Sequence, residues 1–281
     1  MKMKKRIFKG FLALSAFFML AGCGSGANEA KTESKETQVS SAVSSSEKVE
    51  AGKVTFYVTR HGKTMFNTVK RAQGWADTPL TDAGVEVAES LGKGLEKNKV
   101  KFVSAYSSDA GRARETAKLV LKNSNQAQLE LNEDPRLREF GFGIYEGDTD
   151  ENMWGDVGKK LGYASYEEFM TAFSAGEVDT PTATKTLKEL DTTGKAEDHE
   201  TVKLRMQAAL KEIAIETEKS GGGNVLIVAH GMSILAMISD MTENSLPMLE
   251  NASVTKIIYE DGKYTVESVG DMSYIEAGEN K

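Results

Sequence analysis

A chain of 281 residues, 40% of them hydrophobic, can enclose one sizeable α/β core and is too polar to cross a membrane many times. Its net charge of −7 argues against nucleic acid as a partner, because phosphate backbones need clustered Lys and Arg; a small phosphorylated molecule needs only a local basic pocket. With Cys23 as its sole cysteine, it forms no intrachain disulfide.

Residues 1–22 begin with Lys2, Lys4, Lys5, Arg6 and Lys9 and continue into an apolar run over 11–21. That run is shorter than the roughly 20 residues of a spanning helix, so the pattern reads as an export signal. It closes as Leu20-Ala21-Gly22-Cys23, which resembles a bacterial lipobox. The resemblance implies cleavage before Cys23, lipidation of its thiol, and a protein held by that lipid on the extracytoplasmic face of a membrane. Residues 23–52 are rich in Ser, Glu, Lys, Thr and Ala and poor in large apolar residues, the composition of a flexible tether.

The folded domain is expected over 53–281. A β-branched and aromatic run at 54–59 predicts a buried strand. Thr81 is an N-cap for a helix to about 98, with Val85, Ala88, Leu91 and Leu95 at helical spacing. A second strand is expected at 102–106, a helix at 111–123 and a short strand at 128–131. The polar stretch 148–198, with a helical patch near 166–173, reads as a mainly helical insertion over the sheet edge. A long helix follows at 200–219, ended by Gly221 to Gly223. The wholly apolar run 225–229 suits the centre of a parallel sheet, and a helix follows at 232–241. Two strands, 254–259 and 263–269, close the chain as a hairpin turning at Asp261-Gly262. Strands and helices alternate throughout, which predicts an α/β fold with a mostly parallel central sheet and helices on both faces.

In such sheets ligands bind beyond the carboxyl ends of the strands. Two predicted strands end in His-Gly: Thr59-Arg60-His61-Gly62 and Val228-Ala229-His230-Gly231. Arg60 precedes the first histidine, and Arg112 falls at the start of the helix after the second strand. Arginine offers a planar fork of donors suited to phosphate, and a helix N-terminus adds backbone donors and positive potential. Two His, two Arg and two helix starts around one crevice describe a phosphate site. The plainer readings are a surface ion pair for Arg112 with Glu115, and likewise for Arg114. His199, in a polar segment, reads as a surface residue.

The segment Arg60-His61-Gly62-Lys63-Thr64, with Asn67 and Asp77-Thr78-Pro79-Leu80-Thr81, resembles the histidine phosphatase superfamily, the phosphoglycerate mutase-like group. Ser107-Ser108 through Thr116-Ala117 is similar to that family's second arginine motif. Leu137-Arg138-Glu139, on to Gly143 and Glu146-Gly147, is similar to its acid motif, and Val228-Ala229-His230-Gly231 to its second histidine motif. Lys63 departs from the Glu or Gln that many members carry. Four motifs in family order, spanning about 54 to the C-terminal strands, make the likeness specific.

The resemblance implies a metal-independent, cofactor-free phosphomonoester hydrolase. His61 would be the nucleophile that becomes a phosphohistidine. Arg60, Arg112, His230 and Asn67 would bind the phosphoryl oxygens, and Glu139 would be the proton donor, with Glu146 as the other candidate acid. The plain reading of Glu139 is a salt bridge to Arg136 or Arg138. Trp75, Phe142, Tyr145 and Trp154 are candidate leaving-group contacts or simple packing. Two rival functions remain: a phosphoglycerate mutase-type phosphotransferase with the same core residues, and a non-catalytic binding lipoprotein at the cell surface.

Overall fold

The computed structural model describes residues 52–243 and 246–279. The expected export signal, Cys23 and the tether up to residue 51 lie outside the described residues. Six strands form one sheet in the order β3-β2-β4-β1-β5-β6. They are β1 (Val54–Arg60), β2 (Phe102–Ser107), β3 (Leu131–Glu133), β4 (Gly223–Ala229), β5 (Val254–Glu260) and β6 (Lys263–Asp271). The four strands from β3 to β1 run parallel, while β5 and β6 are antiparallel additions on the β1 side.

The central strands β1 and β4 are buried on both faces, and their side chains divide between two cores with a period of two. Val54, Phe56, Val58, Val225, Ile227 and Ala229 enter one core. Tyr57, Leu226 and Val228 enter the other. The second core is roofed by α2 (Asp82–Lys97), α3 (Gly111–Asn123) and a short C-terminal helix, α9 (Ser273–Glu279). The first is roofed by α7 (His199–Lys219) and α8 (Gly231–Ile238). Helices therefore lie on both faces, as the alternation of elements predicts.

The stretch 148–198 forms three helices, α4 (Asp150–Leu161), α5 (Tyr166–Ser174) and α6 (Thr180–Leu190). Each begins with an oxygen-bearing cap: Thr149, Ser165 and Asp179 accept from the backbone N–H three residues on. The stretch is helical as expected: α6 packs on α7, and Met153, Val157, Phe169 and Leu187 belong to the same core as residues of α7 and α8. Trp154 stacks on Phe169 and Phe173, with ring centroids 6.2 and 5.9 Å away, so the α4–α5 pair is tied by aromatic contact.

Candidate active site

The register of β1 against β4 brings the two His-Gly sequences together. Arg60 is level with Ala229, and the next residue on each strand is a histidine. The His61 N–H donates to the Ala229 carbonyl at 3.0 Å, extending the ladder one step. As a result the two imidazoles meet edge to face with centroids 5.2 Å apart. Gly62 is required at this point: a Cβ there would lie 2.4 Å from the Gly84 carbonyl, where α2 crosses the loop after β1. The Gly62 N–H also donates to the Thr116 hydroxyl at 2.9 Å, and that hydroxyl donates to the Arg112 carbonyl, which ties β1's loop to α3.

His61 is buried, and its Nδ1 lies 2.8 Å from the Gly62 carbonyl. A carbonyl only accepts, so Nδ1 carries the proton and Nε2 the lone pair. Burial, reinforced by the charges of Arg112 and Arg60, holds the imidazole well below its ordinary pKa and keeps it neutral. His230 is wholly buried under the same influences, first burial and then Arg112, and neither ring nitrogen has a hydrogen-bond partner within the protein.

Arg60 donates from Nη1 to the Leu249 carbonyl at 2.5 Å, and its buried Nε–H is unpartnered. Arg112 is fully buried. Its Nη1 donates to Asp77 Oδ1 at 2.9 Å and the Ala76 carbonyl at 3.0 Å, and its Nη2 to the carbonyls of Gln73 and Gly74 at 3.2 and 2.8 Å. The ion pair considered with Glu115 is thus made with Asp77 instead, and what Arg112 leaves unmatched is its Nε–H. Four buried nitrogens on three side chains, one each on Arg60 and Arg112 and two on His230, therefore lack partners beside one nucleophile. Buried donors are ordinarily satisfied, so such a cluster marks a place built for an anion.

Glu139 is buried at the start of α8. Its Oε2 accepts from the Met232 N–H at 3.0 Å, and its Oε1 from the N–H groups of Ser233 and Phe140 at 2.8 and 3.0 Å. Burial raises its pKa above the ordinary value, against the lowering pull of those backbone donors and of Arg112 and Arg60. The plain reading, a pair with Arg136 or Arg138, is not what the side chains do. Arg136 pairs with Asp134 and Glu212, each at 2.7 Å, and Arg138 pairs with Asp109. Glu146 has a different task. Its two oxygens accept from the N–H groups of Gly74, Trp75, Ala76 and Phe142 at 2.7–3.2 Å, pinning one loop to another.

A cavity of about 270 Å³ opens onto Arg60, His61, Asn67, Gln73 and Glu139. Asn67 is on the short helix α1 (Met65–Val69), which the sequence reading missed. Its side-chain oxygen accepts from the Thr64 N–H at 3.2 Å in a capping box, so Thr64 and Asn67 three residues on were the signal for that helix. Phe142 and Trp154 line the same cavity. Tyr145 is in the core, its hydroxyl donating to Asp156 at 3.0 Å, and the Trp75 indole donates to the Glu139 carbonyl at 3.2 Å. His199, Lys63 and Arg114 do not line the cavity, and Arg114 makes the surface pair expected of it, with Glu133.

One residue with a bearing on the site went unnoticed in sequence. Arg205, on α7, donates to the carbonyls of Arg136, Arg138 and Glu139 at 2.8, 2.6 and 2.9 Å while its fork is held by Glu197. Its place 66 positions along the chain, beyond α4, α5 and α6, gave no hint that it clamps the acid's backbone. Among the described residues no cluster of three or more His, Cys, Asp or Glu is placed to hold a metal ion, and no helix is long and apolar enough to cross a membrane.

A doubly wound sheet whose two central strands deliver paired histidines to an anion site defines a phosphoryl-transfer enzyme. Residues 56–272 match the model of the histidine phosphatase superfamily (branch 1), and the chain belongs to that family. It is therefore an enzyme that acts on phosphate esters through a phosphohistidine. The crystal structure of a phosphoglycerate mutase from Bacillus anthracis strain Sterne is similar at 48% identity and a TM-score of 0.77, over 83% of this chain and 99% of that one. Bacillus stearothermophilus YhfR is similar at 30% identity and a TM-score of 0.61, over 79% of this chain and 99% of that one. A probable phosphoglycerate mutase, GpmB, of Yersinia pestis (strain Pestoides F) is 26% identical over 78% of this chain and 94% of its own length.

Proposed function

We propose that this chain is a metal-independent phosphomonoester hydrolase. His61 Nε2 attacks phosphorus, and the P–O ester bond breaks as the P–N bond forms. The leaving alkoxide takes the proton of Glu139 and departs as the alcohol. Water then attacks the phosphohistidine and gives its proton to the Glu139 carboxylate. The P–N electron pair returns to His61, and inorganic phosphate leaves. The Nε–H groups of Arg60 and Arg112, His230 and Asn67 bind the phosphoryl oxygens and take up transition-state charge. Glu146 is not assigned the proton transfer, because four backbone N–H groups already occupy its oxygens.

The observation that carries this reading is the pairing, on one cavity, of a neutral His61 fixed as its Nδ1–H tautomer with a buried Glu139 whose pKa is raised. A nucleophile must be unprotonated and a general acid protonated at the same pH, and their environments push them in those two directions. Arg60 and Arg112 supply the positive charge that offsets the phosphoryl oxygens and His230 can add a hydrogen bond, so the chemistry calls for no metal.

A mutase reading is favoured by one specific observation, the 48% identity to a structure described as a phosphoglycerate mutase. Hydrolysis is preferred because the lipobox-like Leu20-Ala21-Gly22-Cys23 supports an exported, lipid-anchored enzyme, away from cytoplasmic phosphoglycerates. The test is product analysis with the purified chain, with and without EDTA. Free phosphate from p-nitrophenyl phosphate, insensitive to EDTA, is expected. Exchange between 2- and 3-phosphoglycerate without net phosphate release would establish the mutase.

A further inference from the structure

The loop that leads into β5 is bound to the end of β1 at several points. The Arg60 N–H and the Thr59 hydroxyl both donate to the Ser253 carbonyl, at 3.3 and 2.9 Å. The Ala252 N–H donates back to the Arg60 carbonyl at 3.0 Å. Ala252 is buried with φ at +61°, a conformation that a residue other than glycine keeps only where its surroundings enforce it.

This loop places Asn251 against the nucleophile, 190 positions away in sequence. Asn251 Nδ2 donates to the His61 carbonyl at 3.0 Å. A carbonyl only accepts, so the NH2 end of the amide is what faces it. The Ala252 N–H also approaches that carbonyl, but at 3.4 Å and shared with Arg60, so Asn251 is the nearer donor. At the other end of the same peptide the Gly62 N–H donates to the Thr116 hydroxyl. The His61–Gly62 peptide is thus gripped at both ends. The grip matters because the next carbonyl, that of Gly62, accepts from His61 Nδ1 and fixes its tautomer, and glycine has no Cβ to restrict its own backbone. Asn251 Nδ2 also lies 3.4 Å from Asn67 Oδ1, which accepts from the Thr64 N–H as well. With its oxygen so engaged, Asn67 has its NH2 to offer the cavity it lines.

Resting on the phosphoryl-transfer reading of this site, we infer that Asn251 is a positioning residue: it holds the His61–Gly62 peptide so that the Nε2 lone pair of His61 stays aimed at phosphorus. Asn251 itself is not among the residues lining the cavity. Misplacing a reacting group by about 1 Å costs on the order of 100-fold in rate, so a lost grip acts on the chemical step more than on binding.

The test uses the full chain and Asn251→Leu, which keeps a side chain of similar shape and removes both donors. Nitrophenolate release from p-nitrophenyl phosphate in a single turnover, with enzyme in excess, should slow by on the order of 10- to 100-fold. The dissociation constant of inorganic phosphate, by calorimetry, should change by less than about threefold, because the Nε–H groups of Arg60 and Arg112 remain. Nitrogen-15 spectra of histidine-labelled chain should show His61 as a single Nδ1–H tautomer in the wild type and as a mixture in the variant, with the signals assigned by their loss in His61→Ala. If Asn251→Leu melts far below the wild type, Asn251→Ser replaces it, with the same changes expected. A folded variant with the wild-type single-turnover rate and the wild-type His61 spectrum overturns the inference. So does a loss that appears wholly as weaker phosphate binding with the spectrum unchanged. If the wild type transfers no phosphoryl group at all, the hydrolase reading falls, and the His61 spectrum alone decides the role of Asn251.

Discussion

Replacing Glu139 by Gln tests the proton-transfer role in a way the structure makes quantitative. The carboxylate accepts three backbone N–H bonds, from Phe140, Met232 and Ser233. A glutamine has only one acceptor oxygen. If that oxygen keeps Ser233 and Phe140, the amide NH2 is left facing the Met232 N–H, a donor against a donor. Leaving one buried donor unmatched costs about 1–3 kcal/mol, a loss the fold should survive. The chemical loss should be larger, about 100- to 10,000-fold, the usual worth of a general acid or base. It should also depend on the leaving group. Nitrophenolate departs without help, so the variant should form phosphoenzyme from p-nitrophenyl phosphate at near-normal speed and then stall, because water is no longer deprotonated. Rapid-mixing absorbance should show a burst of about one nitrophenolate per enzyme followed by slow turnover. With benzyl phosphate, whose alkoxide needs a proton, the burst should vanish. Equal losses on both substrates with no burst would refute the role given to Glu139.

Stability should follow the buried histidines. Both titrate well below 6.5, so below that pH the unfolded chain binds protons the folded one refuses. Stability is then lost as pH falls, by up to about 1.4 kcal/mol per pH unit for each histidine, while Glu139, raised above 4.5, acts in the opposite sense. His230→Gln should flatten the fall of Tm between pH 6.5 and 5, and an unchanged slope contradicts this. Glu146→Ala strips four backbone N–H groups of their acceptor and should destabilise by on the order of 3 kcal/mol in urea melts, which a surface carboxylate would not do. Arg205→Leu frees the Arg138–Glu139 backbone and should lower kcat and move the pH profile, with partial rescue by Lys; a change in Tm alone would make Arg205 merely structural. Cys23→Ser should abolish incorporation of labelled fatty acid in cells, and persistent labelling would refute the lipid anchor.

The architecture was legible because the strongest signals were local. The apolar run 225–229 and the β-branched run 54–59 became β4 and β1, and each His-Gly pair fell where a parallel strand ends. Elements defined by capping rather than apolar periodicity were harder. In α4 and α6 the polar residues conceal a buried stripe of Met153, Val157, Ala183 and Leu187, although Thr149 and Asp179 marked their starts. The third strand was expected at 128–131 and lies at Leu131–Glu133, since three residues on an edge leave little pattern to read. In the site, residue types were readable but partners were not. Nothing in the sequence joins Arg112 to Asp77 or Arg205 to the Glu139 carbonyl, contacts made across separations of 35 and 66 positions. The difference between Glu139 and Glu146, seven residues apart in one motif, also emerges only when one is found on the cavity and the other locked to four N–H groups.

The most direct test is to trap the covalent intermediate. The full chain is mixed with 32P-labelled 1-naphthyl phosphate, quenched in alkali, digested and mapped. A phosphoramidate, stable to alkali and labile to acid, should appear on the peptide containing His61 and be missing from His61→Ala, which should also release no phosphate. Label on another residue, or full turnover by His61→Ala, would contradict the phosphohistidine mechanism.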